Sequence, residues 1–217
     1  MRSNPPPMKK VYPLDVDPVA DWDFNGTWNL DPTVYVSPPS SLRWKIYNNQ
    51  WACYVKNSAC PNISQGKIVS YFRVDSLSGT SPLNMITYAF RANNPDGNAT
   101  PSNLYTLELC KGQVGSSYYL TYATLYYGSY SSKTQVATRN FNVYLAEKTW
   151  YRLTVTFWVY QGVLFVRLEK DGEKLCDDFS DPNNRYAGNS IQKCGVGPSQ
   201  GSNNSYCWHD DVELWSV

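Results

Sequence analysis

The chain holds five glutamates, and two of them, Glu108 and Glu169, fall on strand positions that alternate with apolar residues. Two carboxyl groups on one sheet face are the equipment of glycoside cleavage, one acting as acid and the other as base or nucleophile. Arg91, Arg152 and Arg167 fall in the same kind of position. The two glutamates therefore also suit plain cross-strand ion pairs. Trp158 shares the phase of Arg152, and Tyr119 and Tyr127 lie on a nearby tyrosine-rich run. Aromatic rings beside Arg and Glu form a face suited to a polar ligand. The same mixture also describes an ordinary amphipathic exterior.

The single histidine, His209, stands in "SYCWHDDVELW". Any Ser-His-Asp triad or His-based metal site depends on it. Its phase opposes that of Trp208, Val212 and Leu214, so it is expected to be an exposed strand residue. Asp210 shares the phase of those three apolar residues. A carboxylate there must be hydrogen-bonded or must hold a cation, because an unpartnered buried charge is costly. The six cysteines show no Cys-x-x-Cys spacing. Six cysteines allow fifteen pairings; spacing and intervening turn residues make Cys53–Cys60 and Cys194–Cys207 the best candidates, with Cys110 and Cys176 left for each other by elimination.

The elements that must position these residues are strands. Short runs rich in Val, Ile, Thr, Tyr and Phe are broken by Gly, Pro, Asn and Ser. They predict strands over 41–47, 51–56, 67–75, 84–91, 104–110, 117–127, 134–139, 149–159, 163–170, 173–176, 190–196 and 206–215. Asp171-Gly172 in "EKDGEKL" marks a hairpin turn. Tyr151, Leu153, Val155 and Phe157 share one face. So do Leu164, Val166 and Leu168; Tyr105, Leu107 and Leu109; and Ile86, Tyr88 and Phe90. Such alternation builds an all-β, two-sheet antiparallel sandwich.

With 217 residues, the chain suits one large β domain over 21–217. The Pro-rich stretch "MRSNPPPMKK" opens a flexible segment over 1–20. A net charge of +1 with 17% charged residues argues against a nucleic-acid partner. No run is long and apolar enough to span a membrane as a helix, and no signal peptide is visible. Six cysteines and four sequons, at Asn25, Asn62, Asn98 and Asn203, favour a disulfide-bonded glycoprotein outside the cell or on its surface.

"WYRLTVTFWVYQGVLFVRLEKDGEKL", then "AGNSIQKCGVGPSQ" and "YCWHDDVELW", resembles the C-terminal half of a concanavalin A-like or laminin G-like domain. The opening "WDFNGTWNL" with "SPPSSLRWKIYNN" is similar to the start of jelly-roll carbohydrate-binding modules. The resemblance implies a jelly roll and a structural calcium where the chain ends meet. Carried over by position, the calcium ligands are Asp210 with Asp23 or Asn25; Asn25 stands where the family usually has Glu. The glutamate pattern of laminarinase-type hydrolases is absent. The expectation is a non-catalytic glycan or polysaccharide binder using Trp158, Arg152, Arg91, Glu108, Tyr119, Tyr127 and Arg167. The alternatives are a glycoside hydrolase or polysaccharide lyase using Glu108 and Glu169, and a structural surface, pilus or virion protein.

Overall fold

The structure, a computed structural model, describes residues 4–13, 20–24, 28–36, 41–45, 53–56, 58–77, 83–98, 100–129, 131–198 and 206–217. Among them there is no helix, and hence none long and apolar enough to cross a membrane. The strands are β1 (Lys9–Pro13), β2 (Trp22–Asp23), β3 (Trp28–Asp31), β4 (Ser41–Lys45), β5 (Cys53–Val55), β6 (Gly66–Val74), β7 (Leu83–Asn93) and β8 (Asn103–Val114). They continue with β9 (Ser117–Gly128), β10 (Lys133–Leu145), β11 (Tyr151–Tyr160), β12 (Val163–Lys170), β13 (Glu173–Lys174), β14 (Phe179–Asp181), β15 (Lys193–Pro198) and β16 (Tyr206–Ser216).

Two antiparallel sheets result. The nine-stranded sheet runs β13-β12-β11-β6-β16-β4-β3, with β1 added on β16 and β14 on β12. The seven-stranded sheet runs β10-β9-β8-β7-β15-β5-β2. The predicted alternation forms the core between them. Ile68, Phe72, Leu153, Val155, Phe157, Leu164, Val166 and Leu168 meet Ile86, Tyr88, Phe90, Tyr105, Leu107, Leu109 and Leu125. Phe90 of one sheet stacks on Phe157 of the other, 4.5 Å apart. Each such buried ring contributes about 1.5–3 kcal/mol.

The Asp171-Gly172 turn forms as expected, with φ of 53° and 87° and Glu169 facing Lys174. Positive φ at both central residues is the hairpin geometry that matches strand twist. "YQGV" makes the same turn, with φ of 49° at Gln161 and 78° at Gly162, and joins β11 to β12.

Several expectations need correction. The N-terminal segment is not wholly a linker, because β1 pairs with β16, Lys9 opposite Ser216. His209 is not exposed. It is fully buried between the sheets, its Nδ1 3.3 Å from Ser70 Oγ, which lies 2.8 Å from the Tyr88 hydroxyl. The reason is a bulge. β16 shifts register between Asp210 and Glu213, and Asp211 has φ 45°. One extra residue reverses the facing of a strand. Before the bulge Cys207 and His209 point inward and Trp208 and Asp210 outward; after it Val212 and Leu214 point inward. Asp210 therefore does not share the core face.

The cysteine pairings also change. Cys60, Cys110, Cys176, Cys194 and Cys207 are free thiols. Cys110 lies on β8 of the seven-stranded sheet and Cys176 follows β13 of the other sheet, so the pairing by elimination joins opposite layers. Cys194 and Cys207 likewise belong to β15 and β16, on different sheets. The Cys53 side chain lies outside the described set. The sequons at Asn25 and Asn203 lie outside the described residues. The Asn62 side-chain amide donates to Ser190 O and accepts from the Gln192 amide.

Candidate functional site

The outer face of the seven-stranded sheet carries the residues that alternate with the core. Register aligns Thr87, Glu108, Thr124 and Thr138 in one row across β7, β8, β9 and β10. Ala89, Thr106 and Tyr126 form a second row, and Cys110, Tyr122 and Asn140 a third. These side chains point away from the core, yet Glu108 is only 4% exposed and Thr106 fully buried. Thr87, Thr106, Glu108 and Thr124 are enclosed by their neighbours, whereas Tyr122, Tyr126, Lys133 and Thr138 are half-buried and form the accessible part of the face.

At its centre Glu108 forms an ion pair with Lys133 and accepts a hydrogen bond from Thr106 Oγ1 at 3.3 Å. The Lys133 ammonium also sits 5.5 Å from the Tyr126 ring centroid. Thr124 and Thr138 share a hydroxyl hydrogen bond of 2.9 Å. Burial lowers the Lys133 pKa, and Glu108 opposes that shift. The Tyr126 phenol is raised by burial and by Glu108. A hydrogen bond with Cys110, reinforced by burial, pushes Tyr122 up to about 12. The phenols thus stay neutral donors near pH 7, beside a fixed charge pair and a row of hydroxyls. Phenols, hydroxyls and a charge pair are groups that can hydrogen-bond a polyhydroxylated ligand.

The predicted ligand residues do not form one site. Glu108 and Tyr119 belong to this sheet and face outward, Tyr119 against Tyr144 at 5.8 Å. Tyr127 is on the same strand but packs on the core, with the Arg185 guanidinium 3.9 Å from its ring centroid. A register slip in β9 opposite Cys110 and Lys111 separates the two tyrosines. The same slip brings the overlooked Tyr122, Thr124 and Tyr126 to the outer face. Lys133 was also overlooked, one residue short of the predicted 134–139 strand.

Arg91 does not face the ligand side. It is fully buried in a bulge at φ 51° and donates to Ser64 O, Asn184 Oδ1 and Arg185 O. Trp158, Arg152, Arg167 and Glu169 stand on the nine-stranded sheet, across the core from Glu108. The Glu108–Glu169 carboxylate pair therefore does not exist. Trp158 is 1% exposed, stacked on Phe165 and covered by Arg167. Arg167 in turn makes a two-pronged bond to Asp178, at 3.1 and 3.2 Å.

No family model matches the sequence, and no curated protein does. Solved structures do match in shape. Lectin I from Ulex europaeus, solved with the methyl glycoside of α-L-fucose, aligns at TM-score 0.52 and 10% identity over 90% of this chain and 91% of that one. Peanut lectin, solved with a nine-residue peptide, aligns at TM-score 0.50 and 13% identity over 89% and 92%. The carbohydrate recognition domain of Emp46p aligns at TM-score 0.50 and 12% identity over 96% and 94%.

The fold is the concanavalin A-like jelly roll.

In this jelly roll the proposed calcium carboxylates have other partners. Asp210 accepts the backbone amides of Val36 and Asp211. Asp23 accepts the Gly97 amide and the buried Lys193 ammonium, at 2.9 and 2.7 Å. The two aspartates stand on different sheets, and Asn25 lies outside the described residues. Calcium takes six to eight oxygens. An aspartate already paired with an ammonium, and another bound to two amides, do not suit it. Among the described residues no cluster of three metal-ligating side chains occurs.

Proposed function

We propose that this jelly roll binds a glycan without cleaving it, on the outer face of the seven-stranded sheet around Glu108, Lys133, Tyr122 and Tyr126. The lectin architecture is compatible, but at 10–13% identity the likeness concerns shape alone. The observation that carries the reading is the half-buried group Tyr122, Tyr126, Lys133 and Thr138, set over the enclosed Glu108. Two neutral phenols, the Thr138 hydroxyl and the Lys133 ammonium, held by its ion pair with Glu108, offer directional partners to sugar hydroxyls.

Cleavage by a carboxylate pair needs a second acid about 5–10 Å from the first. Among the described residues the only acids in the strands of this sheet are Glu108 and Asp23. Asp23 is paired with Lys193, and Glu108 with Lys133.

The test is a glycan array on the full chain, followed by titration of the best ligands. Tyr126→Phe and Glu108→Gln are expected to weaken binding by roughly tenfold each, the scale of one or two polar contacts. Release of reducing ends or unsaturated products, abolished by Glu108→Gln, would replace binding by catalysis. Ligands that bind both variants as well as the wild type would remove the face from consideration.

A further inference from the structure

The opposite outer face, on the nine-stranded sheet, has a different chemistry. Trp208 on β16 is flanked in register by Arg43 of β4 and Arg73 of β6. Trp150 continues the line just ahead of β11. The Arg43 guanidinium lies 3.8 Å from the Tyr206 ring centroid and 5.8 Å from that of Trp208. The Arg73 guanidinium lies 5.5 Å from Trp208 and 5.9 Å from Trp150. Cations and rings thus alternate across four neighbouring strands. The rings hold the guanidinium planes in place, and the side chains of Arg43 and Arg73 are half-buried.

The acids at this end of the face are already engaged. Asp31 accepts from Trp208 Nε1 at 2.9 Å and from Thr33, and it lies 3.8 Å from Arg43. Asp210 is occupied by the two backbone amides. Among the described residues Arg73 has no carboxylate partner, and its Nε is buried without a hydrogen bond. Arg152, diagonal to Arg73 across β6 and β11, has no carboxylate partner among them either. With Nε enclosed, the two terminal nitrogens of Arg73 are the part of the guanidinium that can meet a carboxylate. Arg43 and Arg73 are two strand spacings apart, roughly 10 Å, about the advance of two sugar rings along a chain.

We propose that this face is a second saccharide surface, one that takes carboxylate-bearing polysaccharide through Arg73, with Arg43 and Arg152 beside it and the rims of Trp150 and Tyr206 against the sugar rings. The proposal is independent of the seven-stranded face, and its test reads a different ligand.

Hexagalacturonate and its fully methyl-esterified counterpart would be titrated into the full chain by calorimetry. The acid form is expected to bind, to weaken with added salt, and to exceed the ester by roughly tenfold. Arg73→Gln is expected to lose a similar factor and Arg152→Gln less, while neutral glycans that bind the wild type bind Arg73→Gln unchanged. Melting curves would show that the variants are folded, and the acid–ester comparison on the wild type needs no variant. Equal binding of acid and ester overturns the proposal. So do two variants that bind the acid like the wild type, or hexaglutamate binding as tightly as the uronate, since the face would then read charge and not sugar.

Discussion

At the scale of single residues, His209 behaves unlike any other group. It is fully buried among Ser70, Phe72 and Tyr88, and burial lowers its pKa to about 3. An unfolded histidine titrates near 6.5. The folded state therefore rejects a proton that the unfolded chain takes up below that pH. Stability is complete above about pH 6.5 and falls on acidification by roughly 1.4 kcal/mol per pH unit until the folded ring itself protonates. Denaturant titrations from pH 7 to 5 should show this slope, and His209→Gln should flatten it whatever that variant costs at pH 7. An equal slope in both proteins would assign the acid sensitivity elsewhere. Below about pH 4 three carboxyls add a further loss in the same direction. Asp31, Asp178 and Asp181 are each pushed up by burial, but the hydrogen bonds and cations around them hold them below the ordinary value. Their contribution is present above the unfolded pKa and disappears as they protonate. The sequence located His209 on the right strand and on the wrong side of it. Period-2 counting from Val212 and Leu214 passes through a bulge that leaves no mark in residue type. Glu108 faced outward as expected, but its partner Lys133 begins a strand and carries no periodic signal.

At the scale of elements, the hairpins were legible and the bulges were not. Asp-Gly announces its turn because the two backbone conformations demand it. The bulges at Arg91, in β9 and at Asp210–Asp211 each shift the parity, and they account for the misplacement of Arg91, Tyr127 and His209. β16 shows what its bulge serves. Residues Tyr206–His209 pair with β4, and Glu213–Ser216 pair with β1. The bulge falls where the partner changes, and Asp210 closes the gap by binding the Val36 amide. Close approach also defines the start of β6. A Cβ on Gly66 would lie 2.2 Å from the Trp215 carbonyl oxygen and 2.4 Å from Ile63 Cγ2. Gly66→Ala is therefore expected to cost about 1–3 kcal/mol, lowering Tm by several degrees. Gly188→Ala, where a Cβ meets nothing within 4 Å, should stay within about 0.5 kcal/mol of the wild type. Similar melting of the two variants would show that β6 and β16 adjust without cost.

At the scale of the whole molecule, the two-sheet architecture was readable because the long strands alternate cleanly, whereas the assignment of strands to sheets was not. Nothing in "TLELC" and "VRLEK" says that their glutamates end on opposite sides of the core. The same blindness affected two of the cysteine pairings, Cys194 with Cys207 and Cys110 with Cys176, which the layers separate. Burial pushes the Cys60 thiol up to about 12 and that of Cys176 to about 11. Thiols held protonated and enclosed react slowly. Reductant should accordingly leave Tm unchanged, and labelling of these five cysteines with a thiol reagent should proceed to completion only after denaturation. Mass spectrometry showing a bridge among Cys60, Cys110, Cys176, Cys194 and Cys207 would contradict the structure.

The pairing of Lys9 with Ser216 has a mechanical consequence. The two strands run antiparallel, so their outer ends leave the sheet side by side. A load that draws those ends apart acts across the hydrogen bonds and opens them one after another, like a zip. Shear, in which all the bonds of a strand resist together, does not arise. Anchored through these ends, β1 would peel away at low force. β16 would stay held by β6 along its other edge, and the outer faces of the two sheets would remain in place while the tether lengthened.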